Sequence, residues 1–529
     1  MSCRKGWGLR INRKQLATLF TLLLITISVR VLTLQFMRAH LNDPSWFQVG
    51  SYAKFDRQAR DILDGRQRLF WIDDPGRTDL AQYPPAFPAL VALIYSLSAE
   101  HSAYSVQIVL WIADLILSLL LIMGIAFSAF GWRAAIASGF LVGLSPLLAL
   151  YAAYPSADVP ATWFVLGGNW LLLLAAQRKD ATLALASGVM LGIACWLRVN
   201  PLYLCVGWAI ALLLVRTTWP QRLKMSGAVL LGTIVVIAPI VVRNYLVFPD
   251  FTPTGGTIGT NLWEGLGETE LGRSNGFMLG DEKMLERERA KMNLPPDVQA
   301  DVQWPDGIRR DRERTREAMA FIRQHKIWYV GVMAGRMWGM LKVAGRPVPY
   351  CGTSGINVTS RKCLSPQWQG GVVAGAVNLL GMIQSVVRYL FLPLAVFGIY
   401  VAARRDWRLT CLLLVTVVYY LVPGTVAHTE IRYVLPMHGL LIVFASTAMD
   451  RIFSRRFSRM KTDSNPLPRE MMEHTYPILF RVEQSHWWYI GRRKIIAGFV
   501  EDICRRVTDR RPRILDVGCG TGANLLLLS

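Results

Sequence analysis

Long apolar segments dominate the chain and restrict what it can fold into. A membrane-spanning α-helix needs about 20 consecutive, mostly apolar residues. Segments close to this length occur at 15–36, 105–130, 134–153, 159–176, 181–197, 201–215, 225–247, 374–402, 409–425 and 433–449. Charged residues make up 18% of the chain, whereas a soluble domain has about 25%. The sequence therefore predicts a mainly α, polytopic membrane helix bundle of about ten spans. Two shorter apolar stretches, 86–98 and 327–345, predict interfacial or re-entrant helices.

The basic residues lie on one side of this predicted bundle. The 58 Lys and Arg exceed the 36 Asp and Glu, which gives a net charge of +22. With the N-terminus in the cytoplasm, the inner loops are basic, whereas the outer turns at 154–158 and 425–431 hold no Lys or Arg. This asymmetry follows the positive-inside rule. It predicts a multi-pass protein of the cell (inner or plasma) membrane with both termini cytoplasmic, and it explains the charge without a nucleic-acid partner. The first segment is read as an uncleaved signal anchor.

Two long loops and a polar C-terminal region complete the predicted organisation. Residues 1–461 form the membrane domain, with outer loops at 37–104 and 248–373. Long structured loops on one side of a scaffold commonly carry function. Residues 462–529 are polar, lack a spanning segment and are predicted to form a second, cytoplasmic domain.

The first outer loop contains a short amphipathic helix with an acid beside its apolar stripe. Residues 53–64 have helical periodicity, and Gly65 is suited to end the helix. Asp56 lies early in this helix. The Tyr83-Pro84-Pro85 segment then predicts an extended entry to the next apolar stretch.

Several segments, taken in chain order, resemble membrane glycosyltransferases of the GT-C type. They are the Asp56 helix with Tyr83-Pro84-Pro85, then Tyr154–Asp158, Leu197–Pro201, Pro239 with Arg243-Asn244, Asn261–Gly265, and His428–Pro436. Pro239 and Arg243-Asn244 are read as closing the seventh span. The ordered set is most similar to the family 39 group, which includes protein O-mannosyltransferases and lipid A aminoarabinose transferases.

This resemblance implies an enzyme that moves a sugar from a polyprenyl-phosphate donor to a lipid, glycan or protein acceptor on the outer face. The leaving phosphate needs cationic partners, and the acceptor hydroxyl needs a carboxylate to take its proton. Asp56 is the candidate base, with Asp73 or Asp74 as alternatives, and Asp158 is the second candidate catalytic residue. The candidate substrate-binding residues are Tyr83, Arg198, Arg243, Asn244, Glu264, Glu430, Arg432 and Tyr433.

Simpler structural roles are open for the same residues. Asp158 can be the N-cap of the helix that begins near Pro160. Snorkelling arginines also anchor helix ends at the membrane interface, which is the alternative for Arg198, Arg243 and Arg432.

Three further features concern pairing and metals. Asp114 lies within a predicted span, where an acid is a functional candidate or has a partner inside the bundle. Cys351 and Cys363 bracket a polar segment on the oxidising side and predict a disulfide. No His, Asp or Glu cluster has convincing metal-ligand spacing, so no metal site is predicted and dependence on a divalent metal stays open.

The C-terminal residues 513–529 predict a strand, a Gly-rich turn and the start of a helix. They resemble motif I of class I S-adenosylmethionine-dependent methyltransferases, and residues 486–493 resemble the leading segment of one such subfamily. The resemblance implies S-adenosylmethionine contacts at Asp516, Gly518, Gly520 and Gly522. The remaining strands of the sheet do not follow. The expectation is an incomplete, inactive α/β (Rossmann-like) fragment, from a truncated sequence, an artificial fusion or a domain completed by another chain.

Two other function classes compete with the sugar transferase. A transporter or flippase of lipid-linked sugars would typically show inverted repeats and broken helices at the membrane midplane. The candidate acids gather on the outer side instead, which favours the enzyme. A membrane-anchored methyltransferase would not need ten spans or long outer loops.

Overall fold

The chain folds into helices joined by turns and loops. The computed structural model describes residues 13–41, 51–66, 84–292 (except 249, 254, 256 and 279), 302, 306–342, 371–464 (except 429 and 430) and 475–506. Within these residues there are α-helices and short 3-10 turns and no β-strand. The chain divides into two units, Met1–Ile452 and Phe453–Ser529.

The α-helices are numbered in chain order. They are α1 (Arg13–His40), α2 (Ser51–Leu63), α3 (Ala86–Leu97), α4 (Ala103–Phe130), α5 (Trp132–Leu144), α6 (Pro146–Ala152), α7 (Asp158–Arg178), α8 (Ala181–Leu197), α9 (Leu204–Leu212), α10 (Trp219–Val247), α11 (Ile258–Gly267), α12 (Glu270–Ser274), α13 (Asp281–Met292), α14 (Gly307–Gln324), α15 (Lys326–Lys342), α16 (Gly371–Leu421), α17 (Leu435–Ser464), α18 (Thr475–Ser485) and α19 (Trp487–Arg506).

The described residues contain six helices that are long and apolar enough to cross a membrane, so the chain is a multi-pass membrane protein. They are Ala17–Gln35, Ala103–Phe130, Asp158–Arg178, Trp219–Val247, Tyr389–Thr425 and Arg432–Phe453. The helices α5 and α6, bent by 62° at their junction, would together make a seventh span.

The prediction of about ten spans is not confirmed, because apolar runs do not reveal where helices stop. The run at 201–215 contains a helix of only 9 residues, α9. The run at 181–197 is a helix of 17 residues, α8. The two runs at 374–402 and 409–425 lie in the 51-residue α16, whose backbone leaves the helical region at Asp406. The Asp406 carboxylate accepts hydrogen bonds from the backbone N–H groups of Arg408 and Leu409 and so restarts the helix.

Several local predictions are confirmed. The amphipathic helix of the first outer loop is α2, and Gly65 follows it with a φ of 70°. The two shorter apolar stretches form α3 and α15. The predicted span 225–247 ends where α10 ends, at Val247, and the helix continues through Pro239. Arg243 therefore lies inside the last turns of α10 rather than beyond its end.

Glycines allow α8 and α10 to pack with their backbones in contact. A Cβ atom on Gly188 would lie 2.1 Å from the Val229 carbonyl oxygen, and one on Gly232 would lie 2.4 Å from that of Leu185. The Thr233 hydroxyl also donates a hydrogen bond to the Gly188 carbonyl at 3.1 Å. Small residues permit this approach between membrane helices. The contact fixes α8 and α10 against each other along their length.

The same kind of contact between α16 and α17 gives a prediction for stability. Gly398→Ala is expected to destabilise the protein by about 1–3 kcal/mol, because the new Cβ would lie 1.8 Å from the Phe444 carbonyl oxygen. Gly375→Ala is the matched control in the same helix, since a Cβ there has nothing within 4 Å. Thermal unfolding in detergent measures both variants. An equal change in the two variants would contradict the packing argument.

A second apolar core joins the first outer loop to the bundle. Its members include Phe55 of α2, Tyr95 of α3 and Ala157, Ala161 and Leu197 at the ends of α7 and α8. Burial of aromatic and aliphatic side chains on this scale orders a short helix that would not be stable alone. In this core α2 packs against α3, and the core continues to the beginning of α7 and the end of α8.

The unit Phe453–Ser529 includes α18 and α19 among its described residues. Asp516, Gly518, Gly520 and Gly522 lie outside the described residues. The Rossmann-like fragment and its cofactor contacts thus stay predictions.

Candidate functional site

An acid and two arginines from distant parts of the chain meet at the beginning of α7. Asp158 is the first residue of α7, and its side chain is only 5% exposed. Arg198 follows the last residue of α8, and its Nε lies 3.2 Å from Asp158 Oδ1. Arg432 belongs to the 3-10 turn Ile431–Val434, and its Nε lies 3.8 Å from Asp158 Oδ2. Three of the residues proposed from sequence are therefore in one cluster.

Tyr433 completes this cluster by contacting both cations. The guanidinium carbon of Arg198 lies 5.0 Å from the centre of the Tyr433 ring, and that of Arg432 lies 5.5 Å from it. Cations are attracted to the face of an aromatic ring at these distances. The Tyr433 ring thus contacts both of the arginines that pair with Asp158.

The structure does not support the alternative in which Asp158 is the N-cap of α7. The N-cap position of α7 is occupied by Ala157, and Asp158 pairs with the arginines. Asp158 Oδ2 and Ser156 Oγ are buried and have no hydrogen-bond partner among the described residues. Because buried polar atoms are nearly always hydrogen-bonded, these two atoms indicate where a water or substrate oxygen could bind.

Asp56 lies in a separate hydrogen-bonded cluster formed by α2 and α3. Its Oδ1 accepts a hydrogen bond from the Tyr95 hydroxyl at 2.6 Å, and its Oδ2 lies 3.0 Å from Arg60 Nε. The Tyr95 hydroxyl is also 3.0 Å from that of Tyr52. The Asp56 side chain is 29% exposed, so the carboxylate is partly open to solvent although both of its oxygens have a partner.

The protonation states of the neighbours suit a carboxylate that accepts a proton. Burial raises the pKa of Tyr95 to about 12, with a further contribution from its hydrogen bond to Asp56. Burial likewise raises the pKa of Tyr52. The hydrogen bond to Asp56 raises the pKa of Arg60. Near neutral pH both phenols stay protonated and Arg60 stays charged, so Tyr95 and Arg60 remain hydrogen-bond donors to the Asp56 side chain.

The second apolar core places these two clusters at its margin. Phe55, Ala157 and Leu197 all belong to that core. They are the residues immediately before Asp56, Asp158 and Arg198 in the chain. Consecutive Cα atoms are about 3.8 Å apart. The Cα atom of each of these three polar residues therefore lies at that distance from the Cα atom of a residue of the core.

Arg243 is a buried cation with no carboxylate partner among the described residues. It is 3% exposed, and its Nε and Nη2 donate hydrogen bonds to Asn244 Oδ1 at 2.9 and 2.7 Å. The Asn244 amide donates in turn to the Thr252 carbonyl at 2.9 Å. A buried charge normally has an opposite charge beside it. Arg243 therefore has the properties of an anion-binding residue, and Asn244 orients it.

The structure gives less information about the other residues that were proposed from the sequence. Glu264 lies on α11 and is partly buried. Tyr83, Glu430, Asp73 and Asp74 lie outside the described residues, as do Cys351 and Cys363 with their predicted disulfide. Within the described residues, no group of three or more His, Cys, Asp and Glu side chains could hold a metal ion.

Asp114 has its partner inside the bundle. It forms an ion pair with Arg30 of α1, and both side chains are buried. The Ser118 hydroxyl also donates to Asp114, and the Trp163 indole N–H donates to it at 2.7 Å. This network ties α1, α4 and α7 together and favours the structural interpretation of Asp114.

A further ion-pair network, which sequence reasoning missed, orders the second outer loop. Glu288 of α13 lies 2.5 Å from Arg314 and 2.7 Å from Arg310, both on α14. Asp311 of the same helix accepts hydrogen bonds from the backbone N–H groups of Gly259 and Thr260 at the start of α11. In the sequence, the segment from Glu282 to Arg316 shows only a high content of charged residues. Which of them form ion pairs depends on how α11, α13 and α14 pack against one another.

This network predicts a loss of stability in acid. Burial by itself would raise the pKa of Glu288, but the hydrogen bonds and charges of Arg314 and Arg310 outweigh it and leave the pKa below its ordinary value. A lowered folded-state pKa stabilises the protein above the unfolded-state pKa of about 4.3. The stabilisation is then lost as the pH falls through the folded-state value.

Glu288→Gln should accordingly flatten the pH dependence of stability below about pH 5, as measured by unfolding midpoints in detergent. Glu286→Gln, an exposed position on the same helix, is the control and should keep the wild-type profile. Identical profiles for wild type and Glu288→Gln would contradict the role of Glu288.

Residues 82–243 match the family model described as dolichyl-phosphate-mannose-protein mannosyltransferase. The matched part contains Asp158, Arg198 and Arg243 and is less than half of the chain. No curated protein matches the sequence.

Solved structures of an oligosaccharyltransferase from Archaeoglobus fulgidus are similar over most of the chain. The apo form aligns with a TM-score of 0.45 at 14% identity, covering 90% of this chain and 55% of that one. The complex with an inhibitory peptide and a dolichol-phosphate aligns with a TM-score of 0.44 at 12% identity, covering 90% and 55%. The chain thus spans about half the length of the solved structures it matches, and its family resemblance lies in residues 82–243.

Proposed function

We propose that this chain is a membrane glycosyltransferase that moves a sugar from a polyprenyl-phosphate donor to a hydroxyl of a lipid, glycan or protein acceptor on the extracytoplasmic face. The observation that carries the proposal is the cluster in which the buried Asp158 carboxylate pairs with Arg198 and Arg432. Arg432 and Tyr433 join Asp158 from the far end of the chain. The family match over residues 82–243 supports the same class of donor.

The arginines are suited to the phosphate of the donor. Arg198 and Arg432 both pair with the buried Asp158 carboxylate. Arg243 adds a buried cation without a carboxylate partner among the described residues. A phosphate accepts short, charge-assisted hydrogen bonds from guanidinium groups. In this proposal Asp158 orients Arg198 and Arg432 before the donor arrives, and the phosphate then binds to the arginines.

Asp56 is suited to the acceptor. The oxygen of the acceptor hydroxyl attacks the anomeric carbon of the donor, and the bond from that carbon to the phosphate oxygen breaks. The hydroxyl proton passes to the Asp56 carboxylate, and the polyprenyl phosphate leaves with the bonding electron pair. Tyr95 and Arg60 hold the carboxylate in place through hydrogen bonds to its two oxygens. A positioned carboxylate within hydrogen-bond reach of the hydroxyl provides general base catalysis.

Removal of one phosphate-binding charge tests the donor half of the proposal. Arg198→Gln or Arg432→Gln should lower kcat/KM for the lipid-phosphate sugar by about 10- to 150-fold, which corresponds to one charged hydrogen bond of 1.5–3 kcal/mol. Transfer of a radiolabelled sugar in isolated membranes measures the effect. Arg178→Gln, an exposed position at the other end of α7, should behave like wild type. Equal activity in all three variants would exclude these arginines from donor binding.

A further inference from the structure

An acid, a histidine and an arginine connect the second outer loop to the segment that precedes Arg432. Glu268, which follows α11, accepts a hydrogen bond from His428 Nδ1 through Oε1 at 2.6 Å. Arg336 of α15 lies 3.2 Å from the other oxygen, Oε2. These side chains are 29%, 16% and 8% exposed, respectively. We call Glu268, His428 and Arg336 the clamp.

Arg336 binds both sides of this junction. Its Nη2 donates to the Gly265 carbonyl on α11, and its Nη1 donates to the Thr425 carbonyl at 3.1 Å. The same Nη1 lies 3.3 Å from the Tyr329 hydroxyl. Tyr329 in turn donates to the Val426 carbonyl. Residues 425–428 are therefore attached to α11 and α15 at several points.

The backbone of this segment also lies directly on α11. His428 N–H donates to the Asn261 carbonyl at 2.8 Å. A Cβ atom on Gly265 would lie 2.8 Å from His428 N and 3.0 Å from Arg336 Nη2. The glycine in the Asn261–Gly265 motif thus allows the segment and the arginine to approach the helix.

The clamp limits where Arg432 can be. Arg432 is four positions after His428, so their Cα atoms are at most about 14 Å apart in a fully extended chain. Arg432 and Tyr433 sit in the 3-10 turn that leads into α17. Asp158, the partner of Arg432, belongs to α7. Other contacts position that helix. Fixing His428 on α11 therefore fixes one end of the short segment that places Arg432 on Asp158.

We propose that the clamp is a positioning device, through which the second outer loop holds Arg432 and Tyr433 in the geometry that the donor phosphate requires. This inference rests on the proposed function. Glu268, His428 and Arg336 act through Arg432 and are positioning residues. The Glu268 carboxylate accepts from Nδ1 when the imidazole is protonated, and also when it is neutral in the tautomer with the hydrogen on Nδ1.

A double-mutant cycle separates positioning from plain structural support. Glu268→Ala and His428→Ala should each lower kcat for transfer by about 10- to 100-fold, as small misplacements of a site residue do. The two changes together should cost no more than either alone. In an Arg432→Gln background, His428→Ala should have little further effect, because the residue that it positions is gone. His428→Gln, whose amide can still donate to Glu268, should restore part of the rate, and Glu270→Ala, an exposed neighbour, should be silent.

Additive effects of His428→Ala and Arg432→Gln would overturn the proposal, since independent sites combine additively. Hydrogen exchange on the full chain in detergent gives a second measurement that needs no activity. Glu268→Ala should speed exchange of the amides of residues 431–434, while amides within α7 and α8 keep their wild-type rates. Unchanged exchange at 431–434 would exclude the clamp even if the chain is a transferase. Faster exchange in a chain without transferase activity would support the clamp and reject only the proposed function.

Discussion

Replacing Asp56 by Asn is expected to lower the rate of sugar transfer by about 10²- to 10⁴-fold, the usual contribution of a general base. The amide is close to the carboxylate in size, so α2 and its packing through Phe55 and Tyr52 should be kept. It can no longer take the proton of the acceptor hydroxyl. The KM for the donor should change little, because the phosphate-binding arginines are untouched. Initial rates with a radiolabelled polyprenyl-phosphate sugar measure this effect.

Asp64→Asn is the matched control for this experiment. Asp64 follows the same helix, is exposed and pairs only with Arg66 among the described residues. It should transfer sugar at the wild-type rate. If Asp56→Asn retains full activity, Asp56 is not the base, and Asp158 or an acid of the first outer loop outside the described residues takes that role.

Breaking the buried ion pair between Arg30 and Asp114 is expected to have the largest effect on stability. Asp114→Leu leaves the Arg30 guanidinium buried without its carboxylate, which costs about 3–5 kcal/mol. The bilayer around the bundle increases the need for pairing. The double variant Arg30→Met, Asp114→Leu should recover most of this loss, because a matched apolar pair replaces two charges. Thermal unfolding in detergent gives the comparison.

Removing the ion pair between Arg30 and Asp114 should also disturb the candidate site. Trp163 donates to Asp114 and lies five residues after Asp158 on α7, so a shifted α4 moves the start of that helix. Thr21→Ala, at an exposed position of α1, should leave both stability and activity unchanged. A double variant as unstable as the single one would contradict the ion-pair explanation, since the defect would then not come from an unpaired charge.

The sequence predicts those parts of the fold that depend on local pattern. Helical periodicity at 53–64 and Gly65 identify α2, because an amphipathic stripe and a left-handed C-terminal residue are properties of the segment itself. Hydropathy finds the apolar segments and the division at Asp406, which lies between the runs 374–402 and 409–425, but not the short length of α9. The length of α9 depends on which neighbours satisfy the backbone.

For the candidate site, motifs taken in chain order identify residues that the fold brings together. Asp158, Arg198, Arg432 and Tyr433 were proposed separately and form one cluster. The partners of Asp56 and His428 are not predicted from the sequence. Tyr95 and Glu268 have no local feature that distinguishes them from other tyrosines and glutamates, because their role comes from contacts 39 and 160 residues away in the chain. Arg30 is 84 residues from Asp114 and was not recognised for the same reason.

The most direct test of the central claim follows the sugar itself. Purified chain in liposomes is given a polyprenyl-phosphate sugar labelled in the sugar, with membrane extract as the source of acceptor. The account predicts that label leaves the lipid carrier, enters a covalent product and releases an equal amount of polyprenyl phosphate, and that Asp56→Asn abolishes this release. Movement of intact labelled lipid across the bilayer, without cleavage of its sugar–phosphate bond, would contradict the account and favour a flippase.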